Sequence, residues 1–145
     1  MYKHILLATD GSDLAQKAVD HALALAKALS ARVTAVIVTE PLATFAYGEA
    51  AIAFPLEDYE NRVEAFAAKI LSAVSDTAKA AGVPCRTLHE RDQFPAEGII
   101  ETAEAEECDL IVMASHGRRG LSRLFLGSQA NRVVTQSTIP VLICR

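Results

Sequence analysis

Four short apolar runs and a fifth, alternating one constrain this chain more than any other feature. The apolar runs are "HILLAT" (4–9), "RVTAVIVT" (32–39), "DLIVMA" (109–114) and "PVLICR" (140–145), and the alternating one is "PCRTLH" (84–89). A strand that is apolar along its whole length has to be covered on both faces. Helical segments lie between the runs. Apolar residues recur at 14, 18, 22, 25 and 29, and Asp13 with Gln16 has the spacing of an N-cap pair. Residues 59–82 form a long amphipathic stretch that closes on Gly82, 95–108 opens on Pro95, and 127–137 is the last helix. The order β-α-β-α-β-α-β-α-β predicts an α/β fold. It is an open, doubly wound, five-stranded parallel sheet of Rossmann-like order 3-2-1-4-5, with helices on both faces and right-handed crossovers. Residues 1–145 read as a single domain.

Composition excludes several classes. With 51% hydrophobic residues the chain suits a packed core rather than disorder. No apolar run approaches the ~20 residues of a membrane span, and "MYKHILLATDGS" lacks a signal-peptide cleavage pattern, so a cytoplasmic protein without a membrane partner is expected. Cys85, Cys108 and Cys144 form no CxxC and read as small buried hydrophobes. His4, His21, His89 and His116 share no metal-ligand spacing, so no metal site is expected. There is no P-loop, no G-x-G-x-x-G and no G-x-S-x-G nucleophile elbow. The segment 40–57, "EPLATFAYGEAAIAFPLE", is too long and too apolar for a simple connection. It reads either as a lid near a ligand or as an extension of the second helix packed on the core.

Charge is unevenly placed. The formal net charge is −4, yet residues 1–109 hold 9 basic and 18 acidic groups, while residues 110–145 hold five arginines and no acid. This segregation suggests a local anion site in an acidic protein, and it disfavours a nucleic-acid partner. The basic part includes "ASHGRRGLSRLFLGSQ" (114–129), with Arg118, Arg119 and Arg123 between Gly117 and Gly127. Glycines allow close backbone approach, and the amides at a helix start suit an anion such as phosphate. Alternatively, Ser128 is only an N-cap, Gly127 a hinge and the arginines a solvated face. Asp10, where the first strand ends, has the chemistry to accept ribose hydroxyls or to cap the first helix. In a 3-2-1-4-5 sheet the loops after strands one and four meet where ligands bind. An acid for sugar and a glycine loop for phosphates at one crevice make a nucleotide the natural ligand.

"HILLATDGS", "DLIVMASHGRRGLSRLFLGSQANRVV" and the closing "PVLIC" resemble the universal stress protein family over the whole chain. The family's nucleotide motif is Gly, two residues, Gly, nine residues, then Gly with Ser or Thr. Gly117, Gly127 and Ser128 meet it, while Ala114 stands at the first glycine, a change that bears on affinity more than on fold. The resemblance implies an ATP-binding protein, with or without Mg2+. Asp10 would meet the ribose, and the Val38 backbone the adenine. Met113 and Ala114 would flank the nucleotide, and Gly117, Gly127, Ser128 and Gln129 would meet the phosphates. It also implies a homodimer through the final strand, 140–145.

The function expected is a nucleotide-binding regulator of the stress response, biased between states that an unknown protein partner reads. Two other readings stay open: an interaction module without nucleotide, towards which Ala114 leans, and a weak ATPase using Asp10 to help hold Mg2+.

Overall fold

The computed structural model describes residues 1–44, 55–117 and 125–145. Its strands are β1 (His4–Ala8), β2 (Arg32–Val38), β3 (Cys85–Glu90), β4 (Leu110–Ala114) and β5 (Val141–Cys144). Its helices are α1 (Asp13–Leu29), α2 (Leu56–Ala81), α3 (Pro95–Ala105) and α4 (Ser128–Gln136), with a 3-10 turn at Leu42–Thr44. All strand pairs are parallel and the order is β3-β2-β1-β4-β5. The fold is the Rossmann-like α/β sheet expected from the run pattern.

The strands separate their side chains by alternation. Ile5, Leu7, Val33, Ala35, Ile37, Leu110 and Val112 enter the core beneath α1 and α2. Leu6, Ala8, Val36, Ile111 and Met113 enter the opposite core with Ala96, Ile99 and Ala103 of α3 and Ala130 and Val133 of α4. Residues 5–7 and 110–112 are thus buried whichever way they point, which is why these runs carry no polar residue. Alanine lines the sheet side of α1, where Ala18, Ala22 and Ala26 have no exposed surface and let the helix pack close. Asp109 fixes the start of the central pair. Its carboxylate accepts the amides of Lys3 at 2.8 Å and His4 at 3.1 Å, and its own amide donates to His4 O at 2.9 Å.

Several boundaries differ from those expected of the sequence. The N-cap of α1 is Ser12, not the Asp13–Gln16 pair. Ser12 is extended and its Oγ accepts the Ala15 amide at 3.2 Å, while the Gln16 amide group donates instead to Asp20 at 3.1 Å. Asp13 is already inside the helix, its charge favourable towards the dipole. α2 starts at Leu56, so residues 56–57 of the long 40–57 segment join the second helix; 45–54 lie outside the described residues. α3 ends at Ala105, before the 108 expected, because Glu107 is left-handed and the Cys108 amide turns back to Ala103 O at 2.8 Å. All three cysteines are free thiols, and burial pushes Cys108 up to about 12. Burial raises Cys85 and Cys144 as well.

His4 Nε2 lies 2.8 Å from Thr34 Oγ1 on β2, and its Nδ1 is buried with no partner among the described residues. Burial first, then the Arg32 guanidinium, hold its pKa below the ordinary 6.5. Burial and Arg91 lower His89 in the same way. A histidine with a lowered folded pKa adds no proton-linked difference above the unfolded value. As pH falls below it, the unfolded chain binds the proton first and stability declines. Urea unfolding is therefore expected to show lower stability at about pH 5.5 than at about pH 7.5, with a smaller difference in His4→Gln.

Candidate functional site

The chain leaves β1 towards α1 on one face of the sheet, and beyond β4 it leads to α4 on the other. At such a reversal the carboxyl ends of the two strands part and open a crevice. The protein has a cleft of about 550 Å³ there, within the range of small-ligand sites.

Its floor is apolar. Ala8, Val36, Val38 and Met113 end their strands there, and Pro95 and Ile99 of α3 form a wall. The wall stands close because Gly98 has no side chain: a Cβ there would meet Val38 Cγ1 at 2.7 Å. One rim is the turn after β1. Asp10 Oδ1 accepts the Ser12 amide at 3.0 Å and Thr9 Oγ1 accepts the Gly11 amide at 3.2 Å, so the Asp10 carboxylate is held at the lip. The cap of α1 is Ser12, and Asp10 instead shapes the turn before it.

The other rim is the end of β4 and the start of α4. Ser115 donates its amide to Cys144 O at 2.8 Å, and its carbonyl accepts the Gly127 amide at 2.8 Å. That contact needs glycine, since a Cβ on residue 127 would lie 2.7 Å from the same carbonyl. Gly127 is the cap residue of α4 and Ser128 its first helical residue, so Ser128 is not the N-cap. Its cap residue, Gly127, brings no side-chain cap to this helix. Its leading amides, which have no intrahelical partner, front the cleft at Ser128, Gln129 and Ala130.

All eight residues singled out in the sequence line this one cleft: Asp10, Val38, Met113 and Ala114, then Gly117, Gly127, Ser128 and Gln129. The two rims touch, because a Cβ on Gly117 would sit 2.7 Å from Asp10 Oδ2. Gln129 also joins two helices, since its Oε1 accepts the Ala96 amide at 3.1 Å and so closes the start of α3. Arg132 of α4 pairs with Glu97 of α3 beside it. Ala114 is an ordinary strand residue paired with Cys144, and its backbone does not take the left-handed conformation that would demand glycine. Arg118, Arg119 and Arg123 lie outside the described residues. Pro95, Ile99, Thr9 and Ser115 line the cleft without having been singled out. Of these only Pro95 carries a positional signal, as a helix start.

The geometry suits a ligand with an apolar plate and an anionic end. Among the described residues no group of three His, Cys, Asp or Glu could hold a metal ion. No helix among them is long and apolar enough to cross a membrane. The model of the universal stress protein family matches residues 1–145. The chain belongs to the universal stress protein family. It is 37% identical to a universal stress protein of Thermus aquaticus over the full length of both. Its fold is similar to that of the universal stress protein UspA of Lactobacillus plantarum, with a TM-score of 0.86 at 26% identity, over 99% of this chain and 98% of the other. A universal stress protein solved in complex with cAMP is similar with a TM-score of 0.70 at 28% identity, over 99% and 97% of the two chains.

The Gly127–Ser115 approach gives this universal stress protein a measurable weakness. Gly127→Ala is expected to cost about 1–3 kcal/mol, because the added methyl overlaps a main-chain carbonyl that cannot swing away. Urea denaturation of the purified variant measures it, and unchanged stability would contradict the close approach.

Proposed function

We propose that this universal stress protein binds an adenine nucleotide, ATP foremost, in the cleft between the β1 turn and the start of α4. It acts as a nucleotide-responsive regulator rather than as an enzyme. The observation that carries this reading is the convergence of four distant segments, around residues 10, 38, 113–117 and 127–129, on one cavity. The start of α4, whose cap residue has no side chain, supports phosphate there, because the leading amides of a helix and its dipole favour an anion. The cAMP bound by a relative with the same fold supports an adenine nucleotide.

In this reading Asp10 accepts hydrogen bonds from the ribose and the Val38 backbone reads the adenine edge. Met113 and Ala114 flank the nucleoside. Gly117, Gly127 and Ser128 surround the phosphates, joined by Gln129 through its main-chain amide, since its side chain is engaged with Ala96. Mg2+ brought by a triphosphate would meet Asp10. The absence of a P-loop lysine from the sequence supports binding over turnover. A cytoplasmic role in the stress response, with a protein partner that reads the bound state, belongs to the same proposal, as does the action of residues 1–145 as one domain.

Titration calorimetry is expected to show saturable ATP binding below millimolar concentration, weakened about tenfold in Asp10→Asn by loss of a charged acceptor. That variant keeps an oxygen for the Ser12 amide, so its turn survives. No saturable heat with the wild-type protein would reject the reading.

We also propose a homodimer through β5. It is the last strand of the sheet order and carries Leu142, which is 39% exposed. An unpaired edge of this kind is open to a second copy. Light scattering on the purified chain is expected to give twice 15.5 kDa, and a monomer at micromolar concentration would rule the dimer out.

A further inference from the structure

His116 lines the cleft beside Gly117 and has no part in the assignment above. Its Nδ1 lies 3.0 Å from Ser115 Oγ, on a serine that is only 5% exposed. The other side of the ring rests on Gly127, where a Cβ would meet His116 Cδ2 at 3.4 Å. Nε2 is one bond from Cδ2, so the second ring nitrogen stands next to the first residues of α4. Among the described residues Nε2 has no hydrogen-bond partner.

We infer that His116 is a further phosphate-binding residue of the cleft, its ring held by Ser115 and its proton carried on Nε2 when an anion is bound. This rests on the nucleotide reading and extends it. A neutral imidazole has one donor nitrogen and one acceptor nitrogen. With the proton on Nδ1, the ring donates to Ser115 Oγ, and Nε2 turns a lone pair towards a helix start that favours anions. With the proton on Nε2, the Ser115 hydroxyl donates to Nδ1, and Nε2–H joins the leading amides of α4 at Ser128 and Gln129 as a donor. An anionic oxygen at that place selects the second arrangement. Ser115 is then a positioning residue, acting through the ring. The ligand class follows: the donor rewards phosphoryl oxygens and gives nothing to an uncharged nucleoside, so His116 discriminates nucleotides from nucleosides.

The test compares ATP, AMP and adenosine by calorimetry on the whole chain, in wild type, His116→Ala, His116→Gln and Ser115→Ala. His116→Ala is expected to weaken ATP and AMP about tenfold or more, the worth of one hydrogen bond to a charged group, and to leave adenosine unchanged. A glutamine side chain offers an amide donor of similar reach, so His116→Gln should recover part of the loss. Ser115→Ala should produce a smaller loss confined to the phosphorylated ligands. Nitrogen-15 NMR of the ATP-bound wild type should show His116 protonated on Nε2. Equal loss of ATP and adenosine in His116→Ala, no loss of either, or a ring protonated on Nδ1 in the bound wild type would overturn the inference while leaving ATP binding intact. A wild type that binds no nucleotide would instead refute the nucleotide reading and the inference with it. Should His116→Ala not fold, the glutamine variant and the wild-type tautomer decide.

Discussion

Leu6 and Ile111 face each other in register across β1 and β4, flanked by Ile5 with Leu110 and Leu7 with Val112. None of the six is more than 4% exposed. This central pair is held from both sides by helices, and truncating any one of its large side chains would open a cavity at a cost of about 2–5 kcal/mol. Asp109 pins its lower end by accepting two main-chain amides. The cleft follows from this pairing. Because β4 lies beside β1 and the chain leaves their upper ends for opposite faces, the loops have to part directly above the most rigid part of the molecule.

Around that opening, helix starts are treated unequally. Ser12 closes α1, and the Gln129 side chain supplies an acceptor to the first turn of α3. Among the described residues α4 has neither arrangement, although a side-chain cap is worth about 1 kcal/mol. The residue at its cap is a glycine, pressed against Ser115 O, where any side chain would collide. The stability forgone at α4 leaves polar amides facing the cavity. The acid-free sequence after Asp109 keeps carboxylates of that part of the chain away from them.

The layered architecture was legible because its signal is redundant. A run such as "LIVM" has no solvent face, and four such runs with a fifth, alternating strand, all separated by helices, admit few arrangements. Four of the eight cleft residues, Asp10, Gly117, Gly127 and Ser128, were legible as a pattern of glycines, a serine and an acid, which strand order then placed at a reversal; Val38, Met113, Ala114 and Gln129 came only from the family resemblance. Finer features were not. Nothing local distinguishes Ser12 from Asp13 as the cap; the choice depends on which residue is extended when the turn closes on Asp10. The periodicity of α3 marks its apolar face but not the neighbour it meets, so Ile99 as a cleft wall was hidden. Gln129 reads as one more polar helix residue until α3 is beside it. Nothing in the sequence shows that Ser115 lies beside Nδ1 of His116 and Gly127 beside its Cδ2.

The cavity is gauged by two missing methyl groups at opposite ends. Gly98 lets α3 descend onto Val38 and so sets the depth of the apolar floor. Gly127 lets the start of α4 lean on Ser115 and so sets the width of the polar mouth. The two contacts belong to different helices and different strands. Floor and mouth can therefore drift apart over evolutionary time, one reshaped by a single substitution while the other stays as it was, and a shared architecture can come to hold guests of unlike bulk and charge.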